Sequence, residues 1–235
     1  MAPCQDHLER YASLAEEYLI NGREGRLGDR CVDHFGVDAR VIMSAPHAVR
    51  HLSRDGVSKA ADAATGGLVR FVSERSRVVA VVASGGWVNA NANHVLDGWC
   101  PYRHTLTELG AANSVLVDVH GMTDHHGAEV CVGTGANPSL SADVVSFAVE
   151  HLQAAGLAVA VDTPFSASSP GTVTSWAQRN GFRAFQLEVC SALRRPWQDP
   201  DTSLRFAYVL SDLAAGLAAL PTLQDMATGS APTQA

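Results

Sequence analysis

Lysine is almost missing from these 235 residues, Lys59 being the only one. Acidic side chains outnumber basic ones by 24 to 17 and the net charge is -7, so no basic face invites a phosphate backbone and nucleic acid is not an expected partner. Arginine carries nearly all the positive charge, and its planar fork suits carboxylates. No apolar run approaches the ~18 residues that a membrane-crossing helix needs, and no membrane partner is expected. The five cysteines, at positions 4, 31, 100, 131 and 190, form neither a CxxC nor a disulfide-like framework. That odd, scattered set, with no recognisable secretion signal, predicts a reducing cytoplasm. HExxH and GxGxxG are both absent. The GTG at 133–135 lacks the strand-turn-helix and acidic context of a nucleotide site.

The remainder is a core-forming sequence. Hydrophobic content of 46% and charged content of 17% describe a soluble globular protein, and the length suits one large α/β domain. That domain is expected over residues 1–220, followed by a tail at 221–235 with the composition of a disordered segment. Short apolar runs at 39–44, 77–83, 115–119, 129–132, 157–161 and 183–189 read as strands, the fourth expected to adjoin the third. Helical spacing is found at 6–20, 58–74, 102–111, 141–155 and 203–220, with a short helix ending near 180. Asp62 falls in the first turn of the 58–74 segment, where a helix dipole favours a carboxylate. Ser141 reads as an N-cap and Gly156 as a C-terminal stop. Strands alternating with helices imply a mostly parallel sheet covered on both faces.

The chain is organised around residues 114–134. A buried strand, Val115 to Val119, runs into Asp118 and His120, which share one face because side chains alternate along a strand. Gly121 follows where the backbone must turn or let a ligand approach. Open α/β sheets bind ligands at that carboxyl edge. Two further strand ends offer chemistry there: Pro46 stops the first ladder just before His47, and Glu188 ends the last. Two histidines and a carboxylate, with one position left for water, are a common hydrolytic zinc set, and a separate carboxylate then moves the proton. His47, Asp62 and His120 suit the first role and Glu188 the second.

The segments PHAVRH (46–51), YRHTL (102–106), VDVHGM (117–122) and FQLEV (185–189) resemble, in order and spacing, the motifs of the N-formylglutamate amidohydrolase family. The resemblance spans roughly 39–196. It implies a zinc carboxypeptidase-like fold (phosphorylase/hydrolase-like), a three-layer α/β/α arrangement with a mostly parallel mixed sheet. It also implies one Zn2+, or another divalent ion, on His47, Asp62 and His120, with Glu188 as general base and proton shuttle. Asp118 and Gln186 would support these groups or position substrate. Arg103 is the first choice to hold a substrate carboxylate, with Arg50 and Arg183 behind it. The expected partner is a small carboxylate-bearing molecule; oligomeric state is not legible.

The chain departs from the family at Ala48-Val49-Arg50-His51, where relatives have a Gly-rich step, at Asp62, where glutamate is common, and in NANAN (89–93). His51 remains a rival third ligand, since in a helix positions 47 and 51 would share a face. Asp124, His125 and His126 form either a second metal site or a solvated turn. His94 and His104 suit surface or substrate contact. Cys190 with His120 would make a Cys-His hydrolase, the commoner alternative being a buried apolar cysteine. A carboxypeptidase-like or γ-glutamyl peptidase, and a non-hydrolytic metal-binding partner protein, are the rival functions.

Overall fold

The apolar runs are continuous because both faces of the sheet are covered. The computed structural model describes residues 5–22, 32–52, 57–85, 100–110 and 114–221. In chain order the first elements are α1 (Gln5–Gly22), β1 (Val32–Phe35), β2 (Asp38–Ala45), β3 (His51–Leu52), β4 (Ser58–Lys59) and α2 (Thr65–Ser76). Next come β5 (Val78–Ala83), α3 (Pro101–Leu109), β6 (Val115–Gly121), β7 (Val130–Gly133) and α4 (Ala142–Ala154). The chain then forms β8 (Val159–Val161), α5 (Val173–Arg179), β9 (Arg183–Val189), α6 (Ser191–Arg194) and α7 (Pro200–Ala218).

The main sheet has seven strands in the order β1-β5-β2-β6-β9-β7-β8. β5, β2, β6 and β9 are mutually parallel, while β1 pairs antiparallel with β5 and β7 antiparallel with β9. The sheet is therefore mixed but mostly parallel, as expected. Its central strands sort their side chains by parity. Val41, Met43, Val115, Val117 and Val119 enter the core beneath α1, α2, α4 and α7. Ile42, Leu116, Val79 and Val81 enter a second core with Tyr102 and Leu106 of α3 and Val173 and Ala177 of α5. Burial on two faces leaves no polar alternation to read. Each buried aliphatic side chain contributes about 1.5–3 kcal/mol, so these strands are the rigid part of the scaffold.

Several expectations are corrected. The helix expected from Ser58 begins at Thr65, and Ser58–Lys59 instead pair with His51–Leu52 in a small hairpin. Residues 60–64 have helix-forming composition, but Asp62 N donates to His47 O at 2.8 Å and Ala64 adopts a left-handed φ of 70°. A tertiary hydrogen bond overrides propensity there. β7 adjoins β9 rather than β6. Ser141 precedes α4 but makes no side-chain cap; its hydroxyl accepts from Ala184 N at 2.9 Å. β1 and the hairpin were not foreseen, being short and polar. The tail from 222, NANAN and His94 lie outside the described residues.

Candidate active site

The strand register stacks the polar residues in two rows at the carboxyl edge. Ser44, Asp118 and Gln186 lie opposite one another across β2, β6 and β9, and two residues further along His120 faces Glu188. His47 follows the end of β2, and the bond from Asp62 N to its carbonyl draws segment 60–64 against it. Thr65 Oγ1 donates to Asp62 O at 2.8 Å, fixing the turn that presents the carboxylate.

These contacts bring three side chains to one point. Asp62 Oδ2 lies 3.3 Å from His120 Nδ1 and 3.5 Å from His47 Nδ1. The three donor atoms all lie within 4.8 Å of one another. A tetrahedral ion with bonds of about 2.0–2.2 Å has ligand-to-ligand edges of about 3.3–3.6 Å, so two of these separations already match. Proton accounting agrees. His120 Nε2 lies 3.1 Å from Asp118 Oδ2, an acceptor; with its one proton on Nε2, a neutral ring would turn the Nδ1 lone pair toward Asp62. A lone pair facing a carboxylate calls for a positive charge between them, either a second proton or a cation. The residues fit a divalent ion.

The surroundings tune each group differently. Burial raises the Asp62 carboxyl, but hydrogen bonds to His120 and His47 outweigh it and hold the group far below the ordinary range. Burial disfavours the charged form of His120; the nearby charge of Asp118 and the bonds to Asp118 and Asp62 outweigh that and raise its pKa well above normal. Glu188 is pushed up to about 7 by burial, against the pull of His120. Gln186 Nε2 donates to Glu188 Oε1 at 2.9 Å and fixes the carboxyl. Asp118 is fully buried and is itself held by Ser44 Oγ at 3.0 Å and Thr174 Oγ1 at 3.3 Å. Tyr102 OH lies 2.8 Å from Ser44 Oγ and 2.8 Å from Val81 O, extending this support to β5.

A cavity of about 580 Å³ opens over these residues; His47, Asp62, His120, Gln186 and Glu188 form its floor, and residues 164–169 with Thr172 its wall. That wall approaches β7 closely because residue 133 is glycine, where a Cβ would stand 2.9 Å from Phe165 O. Asp162 anchors it by accepting from Thr134 N at 2.8 Å and Thr134 Oγ1 at 2.9 Å.

The expected arginines are not there. Arg183 begins β9, five residues and about 16 Å before Glu188 at the usual strand rise, and pairs with Asp143. It does not line the cavity. Arg103 donates to Gly171 O at 3.0 Å and lies over the Trp176 ring, so its fork meets the back of the 162–172 loop instead of the cavity. Arg50 lines a neighbouring concavity on the other side of segment 60–64, with Ala61, Ala63 and Arg195. Asp118 contacts His120, not the cavity, and Gln186 lines it.

His51 is not one of the converging ligands. Its ring stacks on His47 with centroids 3.8 Å apart and planes 8° apart, and burial lowers its pKa to about 3. Asp124 accepts from Ser191 N at 2.6 Å, while His125 and His126 both contact the Thr123 hydroxyl, so this is a hydrogen-bonded turn. Cys190 is buried with its thiol pKa raised by that burial, the reverse of an activated nucleophile. His104 pairs with Glu108 on the exposed side of α3. Sequence reasoning passed over Thr174, Tyr102 and Arg194. Ser44, a polar residue closing an apolar strand, was a readable hint of the buried network around Asp118.

A family model, N-formylglutamate amidohydrolase, matches residues 54–194, more than half of the chain. The chain belongs to that family. Asp62, His120 and Glu188 fall inside the match and His47 just before it. Membership makes it an amide hydrolase, acting on C–N bonds. No curated protein matches it significantly. Among solved structures, an N-formylglutamate amidohydrolase from Ralstonia eutropha superposes with a TM-score of 0.55 at 12% identity, covering 85% of this chain and 99% of the other. A bacteriophage poly-gamma-glutamate hydrolase gives 0.52 at 18% identity, covering 81% and 91%. At these identities the likeness is one of fold, which is zinc carboxypeptidase-like. Among the described residues no helix is long and apolar enough to cross a membrane.

Proposed function

We propose that this N-formylglutamate amidohydrolase family member is a zinc-dependent enzyme that hydrolyses the amide or N-acyl bond of a small carboxylate-bearing substrate. The observation that carries the reading is the convergence of His47 Nδ1 and His120 Nδ1 on Asp62 Oδ2, with Glu188 lining the same cavity. Two imidazoles and one carboxylate are a donor set suited to zinc and leave a coordination position open. When bound, such an ion polarises a carbonyl oxygen and makes water more acidic.

The chain's own groups then divide the work. Asp118 holds the His120 ring with Nδ1 presented, which keeps the donor set in place. Glu188, whose pKa burial raises, accepts the proton of the attacking water at its carboxylate. Gln186 occupies Oε1, leaving Oε2 for that transfer. As the water oxygen bonds to the carbonyl carbon and the C–N bond breaks, Glu188 returns the proton to the departing nitrogen. The wall at 164–172 shields one side of the cavity from solvent.

Support for a substrate carboxylate comes from the relatives' names, both of which specify glutamate. The described wall offers the hydroxyls of Ser166, Ser168 and Ser169 in place of a guanidinium. A γ-glutamyl peptidase is the second reading, supported by the likeness in fold to a poly-gamma-glutamate hydrolase and by an open cavity. Assays of the zinc-loaded protein on N-formyl, N-acetyl and γ-glutamyl amino acids separate the two. Glu188→Gln is expected to retain the ion and slow hydrolysis by a factor of ~10²–10⁴. Full activity in that variant refutes the assignment of Glu188.

A further inference from the structure

Arg194 is buried, 3% exposed, and none of its hydrogen bonds within the site goes to a carboxylate. Its Nε donates to Val189 O at 3.1 Å, one Nη to Met122 O at 3.3 Å, and the other to Ala63 O. Val189 follows Glu188, Met122 is two residues past His120, and Ala63 follows Asp62. One side chain thus touches the backbone beside three separate chain segments, each of which brings a functional group to the cavity. The short turn α6 makes the return possible: it is capped by Asp124, which accepts from Ser191 N, and Tyr11 OH donates to Arg194 O at 2.7 Å.

Gly121 belongs to the same device. A Cβ on residue 121 would stand 2.6 Å from Arg194 Cζ and 2.7 Å from Nε and Nη2. The glycine is therefore needed for the guanidinium to pass across the end of β6; its φ lies outside the positive range. Burying this cation carries a desolvation cost that lowers the Arg194 pKa, against the favourable charges of Asp62 and Asp124. Methionine would fill the volume without that cost, and lysine could not bridge three carbonyls with a planar fork. What guanidinium adds over either is a fixed distance between the segments.

We propose that Arg194 is a positioning residue that sets the spacing of Asp62, His120 and Glu188 by tying the carbonyls of Ala63, Met122 and Val189 together. It touches neither substrate nor ion. The proposal rests on the metal-site reading above, and the test keeps the two apart. Purified wild type, Arg194→Lys, Arg194→Met and Gly121→Ala are each titrated with Co2+ and with Zn2+ against a chromogenic chelator. The visible d–d spectrum of the Co2+ form reports coordination geometry without any substrate.

Wild type is expected to bind one equivalent. Arg194→Met and Gly121→Ala are expected to bind about 10–100-fold more weakly with an altered Co2+ spectrum, and Arg194→Lys to recover only part of the loss. Gly121→Ala keeps the arginine, so it remains informative if Arg194→Met fails to fold. Folded variants that bind as tightly as wild type with an unchanged spectrum overturn the proposal. Wild type that binds neither ion overturns the metal-site reading itself.

Discussion

The first and second halves of β6 and β9 are built on opposite principles. Val115, Leu116 and Val117, with Ala184 and Phe185 beside them, are fully buried aliphatic and aromatic groups divided between two cores. Asp118, His120, Gln186 and Glu188 continue the same strands as polar residues, alternating with the buried Val119, Leu187 and Val189; the first three are buried and Glu188 partly so. The first half gains stability simply by leaving water. The polar face of the second half tolerates burial only because its members hydrogen-bond to one another and to Ser44 and Thr174. Stability and chemistry therefore occupy different lengths of one strand and should separate under mutation.

The largest separation is expected at Leu116, which is fully buried in the core beside α3 and α5. Leu116→Ala should lower unfolding stability by about 2–5 kcal/mol in chemical denaturation while leaving Zn2+ affinity of the folded protein unchanged. A matching loss of affinity would show that the two halves are not independent.

Next comes the proton linkage of Glu188. Its pKa rises on folding from 4.5 to about 7, so the folded state holds this proton more tightly than the unfolded one. Relative to a residue that cannot ionise, Glu188 therefore becomes destabilising as pH rises from about 4.5 to about 7, by roughly 3 kcal/mol at about 1.4 kcal/mol per pH unit. Metal-free Glu188→Gln should be more stable than wild type at pH 8 by that order, with the gap closing at pH 4. Thermal unfolding at the two pH values reads it directly, and a gap independent of pH contradicts the shift.

A smaller effect is expected at Asp118. Asp118→Asn preserves shape but weakens the hold on His120 Nε2, and should reduce Zn2+ affinity by about 10–100-fold in chelator competition. The smallest belongs to Arg183, paired with a half-exposed Asp143 at the far end of β9. Arg183→Gln should leave KM for any glutamyl substrate unaltered. A raised KM would return Arg183 to the substrate.

The central strands and their alternation with helices were legible in the sequence because burial on both faces writes each central strand as an unbroken apolar run, whereas their order in the sheet was not. His47, His120 and Glu188 were legible because each interrupts or ends such a run. Asp62 was readable as a residue but not as a position: AADAA has helical propensity, and only the bond from its backbone to His47 O makes it a turn. The arginines lie away from the described cavity lining, Arg183 for a geometric reason. Arg183 and Glu188 share one strand of seven residues, so they occupy opposite ends of it, and strand direction decides which of them reaches the cavity. Arg194 gave no signal at all, since its partners are main-chain carbonyls and any residue supplies those.

The central claim is that groups from three distant segments hold one divalent ion beside a free glutamate. Anomalous diffraction at the zinc edge, from crystals of the zinc-loaded protein, tests it most directly. The account predicts a single peak about 2.0–2.2 Å from Asp62 Oδ2 and from the Nδ1 atoms of His47 and His120, with Glu188 unligated. A peak bound elsewhere, or none at this site in zinc-saturated crystals, would contradict it.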